Sequence, residues 1–172
     1  LKGYDEILQT SADAMTRETA QTMEKQILRL ERYVDSMSSL RRLEDAQPQY
    51  EELQLQEFLS ALTESAALLC AQSNKKPAVH NQTMVTYAIL DRSFVTQVCH
   101  NLLSNALRYA ADTVTLTFGA DDSGFWLLVA DDGPGFSGDT LTKATTPYFT
   151  AEKDHALHFG LGLYICKLLC EH

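Results

Sequence analysis

The sequence predicts an α+β fold, with a long helix ahead of a unit in which helices cover one face of a mixed or antiparallel sheet. Three observations carry that expectation. Residues 1–47 hold a single Gly and no Pro and consist mostly of good helix formers. After the break at Gln47-Pro48-Gln49, helical and extended patterns alternate. Residues 113–130 carry the pattern of a β-hairpin.

The 172 residues suffice for one domain with a small appendage, and 45% apolar with 22% charged is a globular composition. Asp plus Glu number 23 against 14 Lys plus Arg, a formal charge of −9. So acidic a chain is a poor partner for nucleic acid or an anionic membrane, since both call for a basic face. No run reaches the roughly 18–20 apolar residues of a membrane span, and no signal peptide opens the chain.

Taken in order, residues 2–9 read as the end of one helix and residues 16–46 as a long second one. Met23, Ile27, Leu30, Val34 and Met37 step by four and three, the spacing of a bundle or coiled-coil seam. Residues 57–72 keep helical spacing through Phe58, Leu62, Ala66 and Leu69, and weak strand signals follow at 77–81 and 84–89. Asp91 is placed to cap the next helix, whose apolar positions are Phe94, Val98, Leu102, Ala106 and Tyr109. Val114, Leu116 and Phe118 alternate with threonines as in a half-buried strand. Asp121-Asp122-Ser123-Gly124 supplies the turn, and residues 125–130 form a continuous apolar strand. A final helix runs from about Leu161.

Three features carry chemistry. The apolar strand runs into Asp131-Asp132-Gly133-Pro134-Gly135, where a carboxylate can accept a hydrogen bond from a ligand amine and glycines admit a ligand close to the backbone. A tight turn after a strand explains the same residues. Gly160-Leu161-Gly162 opens the last helix, whose free N–H groups and dipole suit phosphate, although helix starts also tolerate glycine for conformational reasons. Asn101, Asn105 and Arg108 form one stripe bordering the apolar arc. Asn offers a hard oxygen to Mg²⁺ and Arg meets phosphate, while a solvated polar face is the plainer reading. Cys166 and Cys170, four apart, read as small hydrophobes on a buried helix face, since no Cys-x-x-Cys pair supports a metal site. With no disulfide pattern among the four cysteines, a reducing compartment fits. His100 reads as a packed core residue, and His155 and His158 as solvated polar residues.

Together these segments resemble the boxes of bacterial sensor histidine kinases. Residues 99–109, Cys-His-Asn-Leu-Leu-Ser-Asn-Ala-Leu-Arg-Tyr, resemble the N box, and Asp131-Asp132-Gly133-Pro134-Gly135-Phe136 the G1 box. Pro147-Tyr148-Phe149-Thr150 resembles the F box and residues 160–166 the G2 box, while residues 24–44 are similar to the second helix of the family's dimerisation and phosphotransfer bundle. The resemblance implies a GHKL, Bergerat-type α/β sandwich over residues 48–172, preceded over 1–47 by a remnant of the bundle. It implies an ATP site in which Asp131 binds the adenine amino group and Asn105 ligates Mg²⁺. Asn101, Arg108 and Tyr109 then lie near the phosphates or sugar, with Asn101 and Arg108 taking part in catalysis. Gly133 and Gly135 let the adenine against the backbone beside Phe136. Residues 136–159 form the lid, Thr150 and Lys153 lie near the phosphates, and Gly160, Leu161 and Gly162 present helix-start amides.

Related hydrolases of the superfamily carry a water-activating glutamate one turn before the Mg-binding asparagine. Asn101 stands there and cannot serve as a base, so the resemblance implies phosphoryl transfer rather than gyrase-like hydrolysis. A nucleotide-binding regulatory module without transfer is the alternative. None of the five histidines has the family's His-Glu-x-x-Thr/Asn-Pro context. The acceptor is therefore expected outside this chain, as is the family's terminal strand. The implied partners are a response-regulator receiver domain and, through the bundle, a second copy of the chain. The implied setting is the cytoplasmic part of a membrane-anchored sensor.

Overall fold

The computed structural model describes residues 14–149 and 160–171. Helix α1 (Ala14–Glu44) is followed by β1 (Glu51–Gln54), α2 (Leu55–Gln72), β2 (Lys76–Thr83), β3 (Tyr87–Leu90) and α3 (Arg92–Tyr109). The hairpin β4 (Thr113–Asp121) and β5 (Gly124–Asp131), a short α4 (Gly138–Lys143) and α5 (Gly162–Glu171) complete the order. The expected helix over 2–9 lies outside the described residues.

The central sheet has order β2-β4-β5 and is mixed, because β2 pairs parallel with β4 and β4 antiparallel with β5. Val114, Leu116, Phe118 and Ala120 of β4 are fully buried toward the helices, where they meet Phe58, Leu62, Ala66, Leu103 and Ala106. Helices on one face of a mixed sheet is the predicted architecture. The continuous apolar run of β5 is not buried along its whole length. Phe125, Leu127 and Val129 pack inward, but Trp126 (43% exposed) and Leu128 (55%) stand on the outer face. Successive strand residues point to opposite sides, and among the described residues only one side of this sheet is covered by helices. Trp126 lies across Gly119, where an added Cβ would fall 2.1 Å from the indole.

Two elements lacked a sequence signal. Strand β1 pairs antiparallel with β3 from Glu51↔Leu90 to Gln54↔Tyr87, and of its four residues only Leu53 is fully buried. Helix α4 is a six-residue turn capped by Ser137, whose Oγ accepts from the Thr140 amide at 3.3 Å.

Helix α1 keeps its apolar seam in the open. Met23, Leu30, Val34 and Met37 are exposed, Leu30 by 63%, while Leu40 is buried. Among the described residues, aromatic and polar contacts tie α1 to the rest of the chain. The Tyr33 ring lies 6.1 Å from Tyr148, and the Tyr164 hydroxyl donates to Glu44 Oε1 at 3.5 Å.

Candidate nucleotide site

Helix α3 carries the polar stripe, and both of its ends are anchored. At the start, Asp91 is buried and its Oδ1 accepts from the Phe94 amide (2.9 Å) and the Ser93 hydroxyl (2.7 Å), the cap anticipated for this position. Its Oδ2 accepts from the Gln49 amide at 2.6 Å. Burial pushes this carboxyl up, but the bonds from Phe94, Gln49 and Ser93 outweigh it and hold the group below its ordinary value. At the far end, the Lys75 ammonium donates to the carbonyls of Ala110 (2.8 Å) and Ala111 (2.9 Å), a cation where the helix dipole is negative.

The end of β5 is docked onto that same far end. Asp132 Oδ1 accepts from the Ala111 amide (2.8 Å), and its Oδ2 from the Thr113 amide (3.1 Å). Those bonds, led by a further one from the Asp112 amide to the same carboxylate (3.0 Å to Oδ1), hold it below its ordinary value. Asp131 turns the other way. Its Oδ1 accepts from the Gly133 amide at 2.9 Å, and the side chain is otherwise exposed. Gly133 is required sterically, because an added Cβ would lie 2.3 Å from the Tyr109 carbonyl oxygen and 2.6 Å from Asp131 Oδ1. Gly135 is required conformationally at φ +70°, with open space where a side chain would stand. Phe136, next in line, is half exposed at 48%.

Asp131, Gly133 and Tyr109 are thereby brought together at the junction of β5 and α3, with Asn105 and Arg108 on the same last turns of α3. Asn105, Arg108 and Tyr109 are half-buried, with the Arg108 guanidinium 5.2 Å from the Tyr109 ring centre. Asn101 lies one turn earlier, and its Nδ2 is buried without a hydrogen-bond partner among the described residues. An orphaned buried donor is expensive unless something accepts from it. Nearby, the Cys166 thiol of α5 donates to the Val98 carbonyl at 3.7 Å. Burial, ahead of its neighbour Cys170, pushes that thiol up to about 12, while the Asn101 side chain pulls the other way.

The second glycine pair packs as a unit with the F-box segment. Gly160 has φ +64°, and a Cβ there would fall 2.2 Å from the Phe149 carbonyl oxygen, so residues 149 and 160 lie against each other. Leu161 is buried and Gly162 opens α5 with space around it. Thr150, Lys153, His155 and His158 lie outside the described residues.

Two sequence-based expectations are overturned. His100 is exposed, not packed. It lines an open cleft of about 660 Å³ with Gln49, Asp91, Ser93, Gln97 and Asn101. The deepest ridge of α3 is Cys99, Leu103 and Ala106, and at 100° per residue His100 falls outside that arc. Cys166 is buried as expected, but Cys170 is exposed. Among the described residues no group of three or more His, Cys, Asp or Glu side chains is placed to hold a metal ion, and no helix is long and apolar enough to cross a membrane.

Residues 90–172 match the family of histidine kinase-, DNA gyrase B-, and HSP90-like ATPases. The sensor protein kinase PilS of Pseudomonas aeruginosa is 31% identical over 168 residues, which cover 92% of this chain and 30% of that protein. The sensor protein RstB of Escherichia coli is 29% identical over 162 residues, covering 90% of this chain and 36% of that one. Among solved structures, full-length ShkA in complex with AMPPNP has the same fold over 98% of this chain and 36% of its own, with a TM-score of 0.72 at 22% identity. This chain carries a GHKL ATP-binding domain of the histidine kinase class. It spans about a third of the length of these curated relatives.

Proposed function

We propose that the chain is the ATP-binding kinase core of a two-component sensor histidine kinase. In this reading it moves the γ-phosphoryl group of Mg-ATP to a histidine outside the chain, and onward to an aspartate of a response-regulator receiver domain. The observation that carries the reading is the docking of β5 onto α3 through Gly133. It sets the exposed carboxylate of Asp131, which accepts from Gly133, close to Tyr109 at the end of the helix that carries Asn105 and Arg108.

Asp131 accepts from the adenine amino group, Gly133 and Gly135 bring the base to the backbone, and Phe136 packs beside it. Asn101, Arg108 and Tyr109 face the phosphates and sugar, joined by the amides of Gly160, Leu161 and Gly162 and, in the intervening lid, by Thr150 and Lys153. The donor set fits Mg²⁺, which when bound neutralises phosphate charge. Asn105 gives one hard oxygen while phosphate and water complete the shell, the usual economy for this ion.

Transfer forms a bond from an imidazole nitrogen to the γ-phosphorus as the bond to the bridging oxygen breaks and ADP leaves. A neutral imidazole already exposes its lone pair, so the site needs positioning and charge stabilisation more than a base. Asn101 in the place of a carboxylate is consistent with that and disfavours water activation.

Residues 1–47 act as the bundle remnant and 48–172 as the catalytic unit, with the exposed seam of α1 meeting a second copy on the cytoplasmic side of a membrane-anchored sensor. The test is to supply an acceptor-bearing bundle segment with Mg-ATP. Labelled phosphohistidine on that segment, and none on this chain alone, is expected. Nucleotide binding without any transfer would leave only a regulatory module, and phosphohistidine on the isolated chain would overturn the placement of the acceptor.

A further inference from the structure

We infer that Asp91 is a positioning residue, the joint that sets the nucleotide-binding helix α3 against the linker leaving α1. Its two oxygens do separate jobs. Oδ1 serves its own helix by accepting from Phe94 and Ser93, whereas Oδ2 reaches a residue 42 positions earlier, the Gln49 amide.

The register of the β1–β3 ladder explains why a side chain is needed there. Pairing runs antiparallel with Glu51 opposite Leu90, so continuing the ladder would set Gln49 opposite Arg92. Arg92 is already the first residue of α3, and the strand partner for the Gln49 N–H has gone. The Asp91 carboxylate takes that place. Asp91 is only 6% exposed, while its partner Gln49 stands at the edge of the open cleft. Arg92 reinforces the same corner through Glu51 at 3.1 Å and by lying 5.2 Å from the Phe58 ring centre. The linker is therefore tied directly to the helix that carries Asn101, Asn105 and Arg108. In the proposed function, acceptor and nucleotide sit on opposite sides of this joint, and small misplacements between reacting groups are costly.

The inference rests on α3 being the nucleotide helix, and the test separates the two ideas. Asp91→Asn keeps an oxygen for the Phe94 amide but turns an NH₂ toward the Gln49 N–H, so it breaks the tie and spares the cap. Gln49→Pro removes the donor from the other side. The measurements, on the full chain, are amide exchange by NMR, Mg-ADP affinity by calorimetry, and the distance distribution between spin labels at Gln21→Cys and Thr96→Cys with Cys170→Ser.

In Asp91→Asn the Gln49 amide exchanges about tenfold faster, the factor a hydrogen bond to a charged acceptor is worth. The Phe94 amide stays protected, ADP affinity stays within about twofold, and the label distribution broadens. Gln49→Pro broadens it equally, and the double variant adds nothing. An unchanged distribution in both variants, additive broadening in the double variant, or ADP affinity lost more than tenfold in Asp91→Asn would overturn the inference. A wild-type chain that fails to bind ADP would instead overturn the functional reading, while the distance comparison would still judge the joint.

Discussion

The two ends of α3 are built on the same device, an aspartate accepting from backbone amides, yet they are put to different use. At the N-terminal end Asp91 is buried and every bond it makes is internal. At the C-terminal end two adjacent aspartates divide the labour. Asp132 clamps residues 111–113, and Asp131 is left with one short-range bond and a face to solvent. A carboxylate whose bonds are all spoken for is structural, and one held in place but not consumed is available to a ligand. The neighbouring position in the sequence could not have told them apart without the register.

That contrast can be broken first at Gly133. Gly133→Ala drives a methyl into the Tyr109 carbonyl and the Asp131 carboxylate, so it should destabilise the chain by about 2–3 kcal/mol and abolish ADP binding together. Urea unfolding and calorimetry read the two losses. A variant of wild-type stability would mean that β5 and α3 are not docked as described.

Asp132 gives the next largest effect, and it depends on pH. Its carboxyl lies below the ordinary value when folded, so the folded chain binds that proton less readily than the unfolded one. The stabilisation is present above the unfolded value near pH 4 and disappears as pH falls through the folded one. Asp91 and Asp121 are lowered too and share this acid limb. Asp132→Asn should therefore lower stability at pH 7 and flatten its decline as pH falls below the ordinary carboxylate value near 4. An unchanged acid limb would remove Asp132 from the clamp.

The smallest effect concerns thiols. Burial pushes Cys99 up to about 11 and Cys166 up to about 12, and Cys70 is raised and buried as well, whereas Cys170 is exposed. One of the four thiols should react with a neutral-pH thiol reagent in the folded chain, and Cys170→Ser should abolish that reaction at no cost in stability. Labelling of Cys99 or Cys166 as well would show that α5 does not pack on α3.

Much of this was legible in the sequence where a local rule decides. Asp91 reads as a cap and is one, the threonine alternation of β4 marks its buried face, and the glycine spacings mark both loops. The failures are nonlocal. Glu-Glu-Leu-Gln of β1 has no strand pattern because its pairing is set by β3, more than thirty residues on. His100 was misplaced because helical spacing alone allowed two neighbouring arcs, and only the packing of α3 on the sheet selects Cys99, Leu103 and Ala106. Within the site, the separate employments of Asp131 and Asp132 depend on contacts some twenty residues away.

The most direct test of the account is calorimetric titration of the chain with Mg-ADP beside Asp131→Asn, a change that keeps the oxygen accepting from Gly133 and hence the turn. Binding by the wild type that the substitution abolishes, with both chains equally stable to urea, is the predicted result. Equal binding by both, or none by a folded wild type, would contradict the assignment of Asp131 to the adenine and with it the placement of the nucleotide at the junction of β5 and α3.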